Sequence, residues 1–217
     1  MHNPRYKLCS VPDSVHNQVH GLSVTSNIND PQLAYLSTMG AIDSGDPHLL
    51  NRYANVETLM IVVHGSSRNV DDYICCANSA LPTQEQDPST SSIMIVAPWF
   101  LVPADMPVNI TTSTNGNTTA TPLVWADFVI DEVEPVYHTW RYGADAINAP
   151  VSSYATVDAI VDRILQDIVR FPSLKRIVVA GHSAGGQFTQ RWALLSNSQA
   201  FANPSEQYIP RAPTRTV

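Results

Sequence analysis

The sequence predicts an α/β domain built on a doubly wound sheet, and three observations carry that prediction. Short, continuous apolar runs end at glycine or proline, as strands buried on both faces of a parallel sheet do. Longer stretches with apolar residues three and four apart stand between them, as amphipathic helices do. The two kinds follow in the order β-α-β and then α-β-α, which is that of a layered α/β sheet. At 217 residues and 23.8 kDa the chain fits one domain, residues 1–217. Its 44% apolar content is that of a globular protein. A formal charge of −7 without any basic cluster argues against nucleic acid or an anionic membrane as partner. The longest apolar run, Ile93 to Ala104, is broken by Pro98 and Pro103 and falls short of the roughly 20 residues of a membrane span.

Residues 1–56 are punctuated by Asn, Asp, Ser and Pro and read as irregular, with room for one or two short strands such as "HGLSVTS". "ETLMIVVHG", residues 57–65, is the first buried strand. Asn69 is placed to cap the next helix, with Asp71 and Asp72 in the first turn, where the helix dipole favours negative charge. Val70, Tyr73, Ile74 and Ala77 form its apolar face. After the loop "LPTQEQDPSTS", the run "SIMIVAPWF" is the second buried strand and completes a β-α-β unit. Residues 103–152 are a long excursion rich in Pro, Thr, Asn and Ala, of the length of a lid or an insert. Trp125, Trp140 and Tyr142 predict that part of it packs. Val157, Ile160, Val161, Ile164, Leu165, Ile168 and Val169 then trace one helical face. Ser152 or Ser153 serves as its N-cap, Arg170 lies in its last turn and Pro172 stops it. "LKRIVVAG" is the third buried strand, and a final helix runs from about Ala184 with Phe188, Trp192 and Leu195 on one face.

That strand and helix meet in "IVVAGHSAGGQF", residues 177–188. A Gly-x-Ser-x-Gly between a buried strand and an amphipathic helix is the pattern of a nucleophile elbow. The serine must project from a sharp turn, so the residues two before and two after it must be small. Gly181 and Gly185 meet that need, and Ser183 is the candidate nucleophile. It opens a helix, where backbone N–H groups face developing negative charge, so the Ala184 amide is the first candidate oxyanion donor. "HGSSRN" supplies a second candidate. His64 and Gly65 end an earlier buried strand, and the Ser66 amide in the loop that follows is the other expected oxyanion donor.

With "HGSSRNVDDY" (64–73) and "GHSAGGQFTQR" (181–191) in place, the chain resembles the α/β-hydrolase family, in particular microbial and fungal hydrolases that carry both motifs. The resemblance covers about residues 57–195. It implies an α/β-hydrolase fold, with a mostly parallel sheet and helices on both faces. It also implies a serine hydrolase that cleaves an ester or other acyl bond of a small molecule through an acyl-enzyme, without a cofactor. In that family the triad runs Ser, then Asp or Glu, then His. After Ser183 the sequence holds no histidine and no aspartate, and its only acidic residue is Glu206. The resemblance thus implies that the last strands and both triad partners are missing from residues 1–217. Among upstream histidines, His182 is expected to point away from the Ser183 hydroxyl and His64 to orient the oxyanion loop. Nothing in the sequence positions His138. The alternative is a non-catalytic or truncated protein that keeps the cleft as a binding surface. A nucleotide-binding domain is excluded because "GHSAGG" has neither Gly-x-Gly-x-x-Gly nor a P-loop lysine.

Cys9, Cys75 and Cys76 lack the spacing of a metal site, and two buried thiols at 75–76 are expected, with a pairing to Cys9 open in an oxidising compartment. Asn109 ("NIT") and Asn117 ("NTT") head sequons for N-glycosylation and point to a secretory route. The N-terminal "MHNPRYKLCSVPDS" has no apolar core of a signal peptide, so the two signals conflict and the compartment stays open, with a lean to a secretory protein whose leader is absent from these residues.

Overall fold

The computed structural model describes residues 18–27, 29–43, 47–87, 89–112, 119–127 and 139–202 of the 217. One sheet runs through them, made of β1 (His20–Leu22), β2 (Leu33–Ser37), β3 (Thr58–Val63), β4 (Ile93–Trp99), β5 (Ile110–Thr112), β6 (Thr119–Ala120) and β7 (Arg176–Gly181). Their spatial order is β6-β5-β1-β2-β4-β3-β7. The three apolar runs read from the sequence are β3, β4 and β7, although β7, expected to be buried, lies at the end of the sheet with none of its residues buried. They lie side by side in parallel, with Thr58 paired to Ile93 on one flank and to Arg176 on the other.

The rest of the sheet corrects the expected fold. β2 runs antiparallel to both β1 and β4, and β5 runs antiparallel to β6; only β1 and β5 add a further parallel pair. The sheet is mixed, not mostly parallel, and it is not the sheet that the α/β-hydrolase resemblance implies. The physical reason lies in residues 1–56, which were expected to be irregular. "LAYLS" is buried at all five positions, and it returns from β1 through residues 23–32, too few for the crossover that a parallel neighbour needs.

Alternation along β3 separates two cores. Leu59, Ile61 and Val63 face a large cluster, shared with Val157, Ile160 and Ile164 of α3 (Ser153–Gln166) and Phe188 and Trp192 of α4 (Ala184–Leu195). Met60 and Val62 face a smaller one, completed by Val70 and Ile74 of α2 (Val70–Ser79). A short α1 (Pro47–Ala54) precedes β3, and a single turn, α5 (Gln199–Ala202), follows α4. No helix of the described residues is long and apolar enough to cross a membrane.

The start of α3 is as expected, whereas other helix ends differ for local reasons. Ser152 caps α3, its hydroxyl accepting the Tyr154 N–H at 3.1 Å. The helix stops at Gln166 because the Asp167 carboxylate accepts the Arg170 N–H at 3.0 Å and holds its guanidinium, a local bond that competes with helix continuation. Ile168 and Val169, expected on the apolar face, therefore stand 64% and 82% exposed. Asn69 does not cap α2. Its Nδ2 donates to Asp72 Oδ2 at 2.6 Å instead. On α4, Phe188 and Trp192 are buried, whereas Leu195 is exposed.

Within 103–152, Trp125 is fully buried and Trp140 stacks on Phe100 with ring centroids 5.0 Å apart. Cys75 is disulfide-bonded and Cys76 is an exposed free thiol, so the expected pair of buried thiols is corrected. Cys9 lies outside the described residues.

Candidate active site

β7 ends at Gly181, the chain turns through His182 and Ser183, and α4 begins at Ala184. Ser183 holds φ 56° and ψ −121°, a region that side-chain-bearing residues avoid at a cost of about 1–3 kcal/mol. The neighbouring glycines make this turn possible. A Cβ on Gly181 would overlap the Gly185 carbonyl, and one on Gly185 would overlap the Val63 carbonyl and stand 2.6 Å from that of His64. The first turn of α4 is thus pressed against the end of β3, and Ser183 is left exposed at the mouth.

The end of β3 carries the loop expected to face the nucleophile. His64 is fully buried, and burial lowers its pKa to about 4. Its Nε2 accepts the Phe100 N–H at 3.0 Å. The ring is therefore neutral, with its proton on Nδ1 by assignment from these partners, and Nδ1–H donates to the Gly65 carbonyl at 2.9 Å. The Arg68 N–H donates to the same carbonyl at 3.1 Å. Because the peptide is planar and trans, two donors drawing the Gly65 C=O one way turn the Ser66 N–H the other way. No acceptor among the described residues takes the amide of Ser66 or of Ala184.

Two side chains fix this loop to its surroundings. Arg68, itself at φ 53°, donates through Nε to Asp105 Oδ2 at 2.7 Å and through Nη1 to the Ser66 carbonyl at 3.0 Å. Asp105 also accepts the Val102 N–H at 2.9 Å, which ties the loop to the chain after β4. Tyr73 lies over the loop, 3.3 Å from His182 Nδ1 through its hydroxyl. A Cβ on Gly65 would stand 2.7 Å from that hydroxyl and 3.7 Å from the Ser183 Cβ, so loop and elbow meet at Gly65.

Of the residues expected at the site, Ser183, Ala184, Gly181, Gly185, Gly65 and Ser66 lie in this one place. Asn109 is exposed ahead of β5, and Asn117 and His138 lie outside the described residues. No histidine or carboxylate is hydrogen-bonded to Ser183 Oγ among the described residues; His182 is turned to Tyr73, and both ring nitrogens of His64 are engaged. Sequence reasoning assigned no role to Arg68 and placed Tyr73 only on a helix's apolar face, although both stand in "HGSSRNVDDY". Asp105, in the long excursion, gave no signal at all. No family model matches the chain, and no curated protein or solved structure matches it either.

Proposed function

We propose that the protein is a serine hydrolase of small acyl compounds, ester-like in the first instance. Ser183 is the nucleophile, and the Ser66 and Ala184 amides stabilise the oxyanion. The observation that carries this reading is the backbone of Ser183, held at φ 56° on a strand-to-helix turn whose glycines admit no side chain. Non-glycine residues in such conformations concentrate at functional sites. The two unfilled amides and the N-terminal end of α4 add donors where negative charge would develop. The motif resemblance to serine hydrolases supports the same chemistry, although the mixed sheet does not follow that family's architecture.

A second reading, a non-catalytic protein that binds through this cleft, is favoured by one observation: nothing among the described residues acts as a base on Ser183 Oγ. A serine hydroxyl without a base is a weak nucleophile. Labelling of the purified chain with a fluorophosphonate probe separates the two. Slow labelling that disappears in Ser183→Ala is expected. Equal labelling of both proteins, or none of either while both are folded, overturns the hydrolase reading.

A further inference from the structure

Two amides are placed to hold an oxyanion, and they stand on different elements: Ser66 in the loop after β3 and Ala184 at the start of α4. What fixes the loop to the elbow therefore fixes the gap between the two donors. The other ties of the loop lead towards β4: His64 Nε2 takes the Phe100 N–H, and Arg68 Nε donates to Asp105. Among the described residues, one side-chain hydrogen bond crosses from the loop and α2 to the elbow, that of the Tyr73 hydroxyl with His182 Nδ1 at 3.3 Å. The Tyr73 ring is half-buried and packs on the smaller core, so the hydroxyl is carried on an anchored stem. The chain makes room for it at Gly65. A Cβ there would stand 2.7 Å from the Tyr73 oxygen, while every other atom beyond the adjoining residues lies 3.7 Å away or farther. Gly65 does not hold the left-handed backbone that favours glycine, so the neighbouring hydroxyl is what excludes a side chain.

We propose that Tyr73 is a positioning residue: its hydroxyl, seated against Gly65 and bonded to His182, holds the oxyanion loop to the elbow at the spacing that lets the Ser66 and Ala184 amides converge on one oxygen. Such donors act over roughly 2.7–3.1 Å, so a small slip of the loop costs reactivity while leaving the fold intact. This rests on the hydrolase reading above, and the experiment separates the two.

The first arm measures fluorophosphonate labelling of Ser183 over a range of probe concentrations. Tyr73→Phe should lower the limiting rate about tenfold, with the half-saturating concentration and the melting temperature close to those of the parent. His182→Ala should do the same, whereas His182→Asn, whose amide keeps a polar group near the place of Nδ1, should restore most of the rate. Gly65→Ala should slow labelling in the parent and add nothing in Tyr73→Phe, since the oxygen that the new methyl meets is gone. The second arm needs no reaction: the amide resonances of Ser66 and Ala184 should both move in Tyr73→Phe. Ser183-dependent labelling at the parent rate in Tyr73→Phe, or a Gly65→Ala cost that is equal in both backgrounds, overturns the positioning role and leaves the hydrolase reading. A parent that is not labelled at Ser183, with both amides moved in Tyr73→Phe, removes the hydrolase reading and keeps the tie between loop and elbow. Unmoved amides overturn the tie itself.

Discussion

Ser183 offers a direct measure of what the turn stores. Alanine removes the hydroxyl but keeps a Cβ at φ 56°, whereas glycine accepts that angle freely. Ser183→Gly should therefore be more stable than Ser183→Ala by about 1 kcal/mol, after glycine's own entropic cost, in chemical denaturation. Equal stabilities would mean the turn is unstrained. His64 and His20 make a second prediction, because burial lowers the pKa of each from 6.5 to about 4. Below pH 6.5 the unfolded chain takes up protons that the folded chain refuses until about pH 4. Stability should hold above pH 6.5 and fall as pH drops towards 4, by on the order of 3 kcal/mol per histidine. Denaturation curves between neutral and mildly acid pH check this, and His20→Leu should roughly halve the slope. Gly181 and Gly185 were legible because the turn leaves no room for a side chain at either, and Ser183 because the motif sets it between them. The parts played by Arg68 and by the Tyr73 hydroxyl were not, since they arise only when β3, α2, the elbow and the excursion are brought together.

Elements were legible where one period ran without interruption. β3, β4 and β7 are each built on four or more consecutive apolar residues, and the buried face of α3 follows its 3.6-residue repeat. Its end was not legible, because one aspartate side chain, Asp167, ends the helix while the apolar pattern continues through Val169. β2 and α1 were missed for a related reason: each is short and set among turn-forming residues. The junction after α4 shows how such ends are held. The Asp158 carboxylate, from α3, accepts the Trp192 indole N–H at 2.8 Å, the Ser196 hydroxyl at 2.6 Å and the Asn197 N–H at 3.1 Å. Asp158→Ala should destabilise by about 2–3 kcal/mol, because hydrogen bonds to a charged group are lost and a buried indole N–H is left unpaired. Asp158→Asn, which keeps an acceptor, should lose less. Urea unfolding followed by tryptophan emission reads both variants, and a neutral Asp158→Ala would show that this carboxylate is dispensable.

At the scale of the molecule, the parallel trio β4-β3-β7 was readable and the sheet's mixed character was not, because direction is decided by pairing. β2 supplies the antiparallel contact, with Ala34 opposite Trp99 and Ser37 opposite Val96, and no residue of "LAYLS" announces which neighbour it takes. The order of strands also leaves β7 at one end of the sheet, paired only with β3 among the described residues. Ile177 and Val179 pack on the large core, while Val178, opposite Met60, lies on the other face and is half-buried. Edge strands are commonly guarded by lysine, proline or a bulge; β7 has only Arg176 at its start, followed by an apolar run. Its outer N–H and C=O groups, which no described strand takes, are a template for another strand, so the chain should associate as its concentration rises. Val178→Lys should suppress that association with little loss of stability, since its long stem lies along the sheet while the ammonium reaches water. Ile177→Lys should instead destabilise, because that side chain faces the core. Sedimentation velocity over a concentration series, with thermal melts of all three proteins, decides the matter. A parent chain that stays monomeric throughout, or a Val178→Lys chain that associates equally, would show that the β7 edge is not the surface responsible.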